Sequence, residues 1–425
     1  MEVDKKKRIV IVGGGFAGIE LINKLKKSDV YEVVLVDLNN YNFFPPLLYQ
    51  VASGFMEPSA ISYPFRKILR GKENVRFRLG ALQKVVSEEN KIVLSNGELF
   101  YDILIMATGT ETNFFGNENV KKHSLPMKTI GDALALRNLL FTRLERATRV
   151  QDPLHRKKLL SFVIAGAGPT GVELSGILAE MRKHIITKDY PELVKEDLGE
   201  VYLLDGLDAV LAPMSEKSQK YSQEKLEGLG VKVKLKTLVT DFKEDVVYLS
   251  DDTTIDSKNL IWAAGVSAKV FDGFKKEDYG RGRRLKTNEF NLVDGYTNIY
   301  AVGDTAILAG DKKYPDGHPQ VAQVAIQQAE NLGENLLKNK GDWKAFEYAD
   351  KGSMAIIGRN KAVTDGPNES FFLKGFPAWF IWIFVHIMSL VNYKNRLRAL
   401  YDWTGYYFKK DQSFRMIIKP TDTKS

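Results

Sequence analysis

The chain has 425 residues, 44% hydrophobic and 27% charged, with 61 Lys and Arg against 53 Asp and Glu. This composition excludes wholesale disorder, and a mean hydropathy of −0.23 excludes a polytopic membrane protein. The length suggests about two or three domains, and the formal charge of +8 leaves nucleic acid, an anionic membrane or acidic ligands open as partners. Cysteine is absent, which removes disulfides, thiolate-held zinc, iron–sulfur clusters, thiol nucleophiles and redox cysteine pairs. His123, His155, His184, His318 and His386 show no metal-ligand spacing, so no metal centre is expected. At the N-terminus, Lys5-Lys6-Lys7-Arg8 precedes only Ile9-Val10-Ile11-Val12 before three glycines. An export signal needs about 7–15 apolar residues, so the chain is expected to stay in the compartment that makes it.

The β-branched run Ile9–Val12 meets Gly13-x-Gly15-x-x-Gly18, and a helical pattern follows with Ile19, Ile22 and Leu25 apolar. The next apolar run, Val33–Val36, ends in Asp37. This is strand, glycine turn, helix, strand, acid. Gly13 permits the tight turn, Gly15 lets backbone approach a pyrophosphate, and Gly18 lets helix pack on strand. The helix N-terminus faces the phosphates, and Asp37 suits an adenosine ribose hydroxyl. The pattern recurs at Phe162–Ala165, Gly166-x-Gly168-x-x-Gly171 and a helix carrying Val172, Leu174, Ile177, Leu178 and Met181. Its second strand, Val201–Leu204, ends in Asp205 after a polar insertion around Thr187–Glu200. Asp205 would accept from a 2′-hydroxyl and repel a 2′-phosphate, which favours NADH over NADPH. Two such turns mean two dinucleotides or an internal duplication. The chemically sensible pair is a hydride-donating nicotinamide and a flavin, held ring to ring at roughly 3–3.5 Å.

At this point the chain resembles the flavoproteins of the pyridine-nucleotide oxidoreductase family with two dinucleotide-binding domains. Tyr101–Gly109, with Ala107-Thr108-Gly109, is similar to the strand-then-ATG crossover of that family. Leu260–Val266, with Ala264-Gly265, is similar to the returning crossover, and Thr297–Asp304, with Gly303-Asp304, to the second FAD motif. The resemblance narrows to the single-subunit, non-proton-pumping (type II) NADH:quinone oxidoreductases. Four stretches carry this: Pro45–Ala52 with Gln50, Gly168–Glu173, Pro319–Gln328 with Ala322 and Gln323, and Gly352–Asn360 followed by Lys374–Trp379. The departures are Gln50, where many relatives have Glu, and Asp205-Gly206, where many have a ribose glutamate. Missing cysteines argue against sulfide:quinone and disulfide-reductase relatives.

The resemblance implies an FAD cofactor, NADH as substrate and a quinone as acceptor. It places Glu173 beside the nicotinamide and flavin, for nicotinamide positioning and proton relay; by itself, an acid there is also what a helix start favours. It places Gln323 at the quinone end of the flavin. Ala322, Ile326, Ala329, Gly333 and Leu336 predict one helical stripe, with Gln323 and Gln327 as i, i+4 neighbours beside it. Lys374 reads equally as a solvated lysine or as a cation for the flavin, the quinone carbonyl or proton supply.

Gly375–Val391 is almost uniformly apolar, interrupted by His386 and Ser389. It falls short of the roughly 20 residues that span hydrocarbon. Trp379, Trp382 and Trp403, then Tyr393, Tyr401, Tyr406 and Tyr407, interleave with Lys394, Arg396, Arg398, Lys409, Lys410 and Arg415. This is the composition of an anchor on an anionic membrane surface; a buried core helix is the competing reading. No nucleic-acid signature accompanies it.

The expected fold is α/β, with two Rossmann-like dinucleotide-binding domains (FAD and NAD) and a C-terminal membrane-anchoring helical module. The FAD domain is expected at 1–125, completed by 285–345, the NAD(H) domain at 126–284, and the quinone and membrane module at 346–425. The expected protein is a peripheral flavoenzyme on the cytoplasmic side of the inner membrane, passing electrons from NADH through FAD to quinone without proton pumping. The family, and no single residue, suggests a homodimer. The rivals are a soluble reductase of a small redox protein and a flavin- and NADH-binding sensor without turnover.

Overall fold

Two parallel five-stranded sheets carry the two glycine turns. The computed structural model describes residues 6–193, 198–308, 310–409 and 414–418. Lys5 and Lys410, and the side chains of His184, Tyr406, Tyr407 and Lys409, lie outside the described residues. The chain divides into two compact units.

The first unit comprises Met1–Phe43, Tyr63–Glu111 and Val266–Asp350. Its parallel sheet has the strand order Ile299–Ala301, Ile103–Met106, Lys7–Val12, Tyr31–Asp37, Val75–Leu79. The central strands carry continuous apolar runs, Ile9–Val12, Val33–Val36 and Ile103–Met106, because both faces are covered, while the edge strand Val75–Leu79 alternates with Arg76 and Arg78. Ile9 and Ile11 face one core with Leu21, Ile22 and Leu25 of helix Phe16–Leu25 and Ala325, Ala329 and Leu332 of helix Ala322–Leu336. Val10 and Val12 face the other, with Leu82, Ile92 and Leu285. The predicted stripe on the later helix needs correction. Ala329, Gly333 and Leu336 are buried, but Ala322 and Ile326 are only half-buried, and Val324, Ala325, Gln328 and Leu332 complete the inner face. The face is rotated toward 325 because Ala325 and Ala329 meet the sheet core.

The second unit comprises Phe44–Ser62, Thr112–Gly265 and Lys351–Ser425. Its sheet runs Leu125–Pro126, Asn259–Trp262, Phe162–Ala165, Val201–Leu204, Val231–Lys234, again parallel. Helix Pro169–Met181 packs on this sheet and also on strand Ser353–Gly358 of a three-stranded antiparallel sheet with Lys361–Asp365 and Phe372–Lys374. With both sides covered, every residue from Gly171 to Met181 is buried. π-Helix Arg182–Ile186 leads into the polar insertion, which begins as helix Thr187–Asp189.

Helix Phe376–Ser389 follows that antiparallel sheet and buries only Ala378 and Trp382. Phe376, Phe380, Phe384, Val385 and Met388 are exposed, so the core-helix reading fails for most of its surface. Helix Tyr393–Lys409 is tied to the 44–62 segment by Asn395, whose amide donates to the carbonyls of Ala60 (2.9 Å) and Ser62 (3.0 Å). Among the described residues no helix is long and apolar enough to cross a membrane.

Candidate active site

In the first unit, three adjacent strands end in the residues singled out from sequence: Lys7–Val12 in Gly13, Ile103–Met106 in Thr108-Gly109, and Ile299–Ala301 in Gly303-Asp304. From Lys7–Val12 the chain moves to Tyr31–Asp37 on one side, while Ile103–Met106 pairs on the other. This is the switch point at which open α/β sheets bind ligands. Gly13 has φ +107°, and a Cβ there would lie 2.2 Å from the carbonyl oxygen of Ala107. A Cβ on Gly18 would lie 1.9 Å from the carbonyl oxygen of Gly13. A Cβ on Gly15 would meet nothing within 4 Å, and no side chain caps the helix that Gly15 opens. An open concavity before an uncapped helix N-terminus fits a pyrophosphate. Asp37 accepts from the Gly14 N–H (2.7 Å) and the Asn39 N–H (2.7 Å), one on each oxygen. Burial pushes its pKa up against those bonds. Each oxygen keeps a second lone pair for a ribose hydroxyl.

The second unit repeats this construction. Gly166 has φ +104° with Ala263 O 2.5 Å from its would-be Cβ, Gly171 sits 1.8 Å from Gly166 O in the same sense, and Gly168 opens onto space. Helix Pro169–Met181 has no side-chain cap either. Asp205 accepts from the Ala167 N–H (2.5 Å) and the Leu207 N–H (2.8 Å). Ala264-Gly265 follows strand Asn259–Trp262, the neighbour of Phe162–Ala165. Both turns thus fit a dinucleotide.

Glu173 is more than a helix-start carboxylate. It is 7% exposed, and burial raises its pKa well above the carboxylate range. The Ile356 N–H and the Trp382 indole N–H act the other way. The indole contact stops short of a well-formed hydrogen bond. Trp382 is fully buried, stacks on His386 at 3.8 Å and packs against Trp403 at 5.6 Å. His386 takes its carbonyl at 2.8 Å through Nδ1, and burial brings the imidazole pKa down to about 4. Gln50 is buried nearby in the same unit: its amide donates to the Tyr49 hydroxyl (2.9 Å) and accepts from Trp403 Nε1 (2.8 Å).

Lys374 is exposed and lies over the Tyr221 ring at 5.6 Å, with Lys225 at 5.1 Å from the same ring. Register places it in one row with Val363 and Ala355, so it stands across the three-stranded sheet from the strand that meets Glu173. That separation is roughly 10 Å at about 4.8 Å per strand. Gln323 and Ala322 belong to the first unit, at the start of helix Ala322–Leu336. The i, i+4 amide pair is not a free pair: Gln327 is joined at both ends to the backbone of Ala349 (2.9 and 2.9 Å).

Sequence reasoning missed several supports. Thr305 is buried, pairs with the Thr108 hydroxyl (3.1 Å) and accepts from the Gly109 N–H (2.9 Å), locking two strand ends together. Gln328 accepts from the Gly303 N–H (2.7 Å), and Asn42 donates to Gly14 O (2.8 Å). Gln328 sits inside a quoted stretch and Thr305 directly follows one; Asn42 carried no local signal. A cavity of about 940 Å³, lined by Lys7, Arg8, Lys26 and Arg76 among others, contains none of the predicted site residues. Among the described residues no acid–histidine group could hold a metal.

The family model "Pyridine nucleotide-disulphide oxidoreductase" matches residues 7–329, and "NDH2 C-terminal domain" matches 351–410. Type II NADH:quinone oxidoreductase Ndh of Mycobacterium tuberculosis is 36% identical over 421 residues, covering 94% of this chain and 88% of the relative. An internal alternative NAD(P)H-ubiquinone oxidoreductase A1 of Arabidopsis thaliana mitochondria is 27% identical, covering 96% and 86%. The solved structure of NDH2 from Plasmodium falciparum in complex with NADH superposes with a TM-score of 0.87 at 22% identity, covering 98% of this chain and 100% of that one; this likeness speaks for the fold. The chain belongs to the pyridine nucleotide-disulphide oxidoreductase family, and within it to the type II NADH:quinone oxidoreductases.

Proposed function

We infer that this protein oxidises NADH through FAD and reduces a quinone to quinol. The observation that carries this is the pair of open, uncapped glycine turns, one in each unit, in a chain that matches a type II enzyme along 94% of its length. FAD, when bound, would supply the two-electron chemistry that links a nicotinamide donor to a quinone acceptor, with the two protons of the quinol coming from the donor hydride and from solvent through the protein. The chain's own residues bind, orient and protonate.

Gly13, Gly15, Gly18 and Asp37 would hold the FAD pyrophosphate and ribose, with Thr108-Gly109 and Gly303-Asp304 closing on the same end of the sheet. Gly166, Gly168, Gly171, Asp205 and Ala264-Gly265 would hold NADH, the Asp205 charge disfavouring a 2′-phosphate. Burial raises the Glu173 pKa and so biases the side chain toward its protonated form, from which it would pass a proton when charge develops nearby. Gln323 would orient the flavin or quinone by its amide, with the N-terminus of its helix favouring negative charge. Gln50 would set polarity on the flavin side, and Lys374 would hold a quinone carbonyl or replenish a proton. The domain reading of 1–125 with 285–345 for FAD, 126–284 for NAD(H) and 346–425 for quinone and membrane is supported by one glycine-turn sheet per nucleotide.

A lipid-soluble acceptor must be met at the bilayer. The exposed apolar side chains of Phe376, Phe380, Phe384, Met388 and Leu400, with Arg396 and Arg398 beside them, support peripheral attachment to an anionic membrane. We place this on the cytoplasmic side, with a homodimer formed through the same module. NADH oxidation by the intact protein with a short-chain quinone tests the central reading. A colourless preparation that takes up no FAD, or NADH bleaching with no reoxidation by quinone, overturns it. Phe380→Asp with Phe384→Asp should abolish co-flotation with anionic vesicles, and sedimentation should give twice the chain mass.

A further inference from the structure

We propose that Gly176 and Glu180, together with the bulged strand Ser353–Gly358, form a clamp that holds Glu173 in place, making both of them positioning residues for that carboxyl group.

The helix meets the strand at three successive levels. At the first level the Ile356 N–H opposes the upward push of burial on the Glu173 carboxyl. Gly176 lies against Ile357: a Cβ there would sit 1.8 Å from its carbonyl oxygen and 2.8 Å from its carbonyl carbon. Glu180, buried at 7% exposure, accepts the Arg359 N–H at 2.8 Å through Oε1, and that same oxygen lies 2.6 Å from where a Cβ of Gly358 would be. Positions 173, 176 and 180 share one helix face, as i, i+3 and i+7 must. The strand can present three groups to that face because its pairing with Lys361–Asp365 slips between Ile356 and Gly358. A bulge of this kind re-aims backbone groups and is common beside functional sites.

Each part depends on the others. Only a glycine at 176 lets the strand come close enough for the Ile356 N–H to reach Glu173. Glu180 anchors the far end, so the strand cannot swing out about the Gly176 contact. Among the described residues the influences on Glu173 are burial first, then the Ile356 N–H and more weakly the Trp382 indole. The position of the strand is therefore the chief control over it. This inference rests on the proposed role of Glu173 in the reaction, but its test does not need turnover.

The experiment follows the infrared carbonyl stretch of protonated carboxyl groups across pH in the FAD-loaded protein. Glu173→Gln identifies the band. Glu180→Gln keeps an acceptor for the Arg359 N–H and should leave the midpoint as in the wild type. Glu180→Ala and Gly176→Ala should loosen the strand, weaken the Ile356 N–H donation and raise the midpoint by about one pH unit. An unmoved midpoint in both alanine variants overturns the clamp while leaving the reading of Glu173 intact. A failure of Glu180→Gln to rescue also overturns it, because Glu180 then acts as a charge and not as an anchor. Absence of any Glu173-dependent band overturns both the clamp and the proton-holding role. Should Gly176→Ala not fold, the Glu180 pair decides alone.

Discussion

Glu20 and Glu173 stand at the same step of the two glycine turns, two residues beyond Gly18 and Gly171. The turns are built alike, with the same open middle glycine and the same closing acid bonded to backbone N–H groups. Glu20 is half-buried, accepts from the Asn23 amide at 3.4 Å and helps raise the Lys24 pKa by its charge. Glu173 is buried beneath strand Ser353–Gly358 and Trp382. One motif thus yields a half-buried acid in one unit and, in the other, a buried acid whose pKa is pushed up by burial. The turn supplies the phosphate cradle, and later segments of chain supply the chemistry by covering a helix face that the first unit leaves open to water.

The comparison breaks first at the turns themselves. Gly13→Ala and Gly166→Ala each force a Cβ against a carbonyl at a left-handed φ, a strain of about 3 kcal/mol or about 100-fold in binding. Gly13→Ala should purify almost without flavin absorbance. Gly166→Ala should stay yellow and lose NADH bleaching by about 100-fold. Equal loss of flavin in both would mean that the turns do not serve separate nucleotides. Next comes the glutamate pair. Glu173→Gln should lower quinone turnover by about 100-fold, while Glu20→Gln leaves it unchanged. The native state holds the Glu173 proton more tightly than the unfolded chain does. Its contribution to stability is therefore complete below the ordinary carboxylate value of 4.5 and is lost as pH rises through the higher native pKa. Urea melts across pH should show a decline in wild type that Glu173→Gln removes.

The turns were legible in sequence because glycine at fixed offsets after a β-branched run leaves few alternatives, and Gly109, Gly265 and Asp304 each follow within three residues of the strand that precedes them. The position of Glu173 was legible too, but its burial was not. That burial comes from residues near 356 and 382, far along the chain, and no local pattern announces which helix they will cover. The inner face of helix Ala322–Leu336 was misphased because a stripe drawn from Ala322 ignores that Gln328 turns inward to hold Gly303. Similarly, the aromatic composition of the tail pointed to an exposed apolar surface, yet gave no sign that Trp403 would turn inward to Gln50.

A smaller effect separates the two closing acids. Asp205→Asn keeps one oxygen for a backbone N–H and removes the charge facing a 2′-phosphate. Use of NADPH relative to NADH should rise about tenfold, or about 1.4 kcal/mol. The same change at Asp37 should leave that ratio alone. Kinetics with both nucleotides decide this, and an unchanged ratio in Asp205→Asn would remove the assignment of the second turn to the adenosine ribose.

The smallest effect concerns how each helix is held. The second helix is fixed at its far end by the buried Glu180, the first by an ion pair between Lys24 and Glu334 at 2.9 Å, with side chains 28% and 54% exposed. The pair raises the Lys24 pKa and lowers that of Glu334, so its contribution is complete between the unfolded values of 4.5 and 10.5 and is lost as pH falls through the lower native pKa of Glu334 or rises through the higher native pKa of Lys24. Exposed pairs are worth about 0–1 kcal/mol and weaken with salt. A double-mutant cycle of Lys24→Met and Glu334→Gln should give a coupling within that range at low salt and none at high salt. The loss in Glu180→Ala should be larger and less sensitive to salt, because it removes a bond from a part-buried N–H to a buried carboxylate, worth about 1–3 kcal/mol. Equal salt sensitivity at the two sites would show that the second helix is held by charge as the first is, and the contrast between the units would then lie in burial of the turn alone.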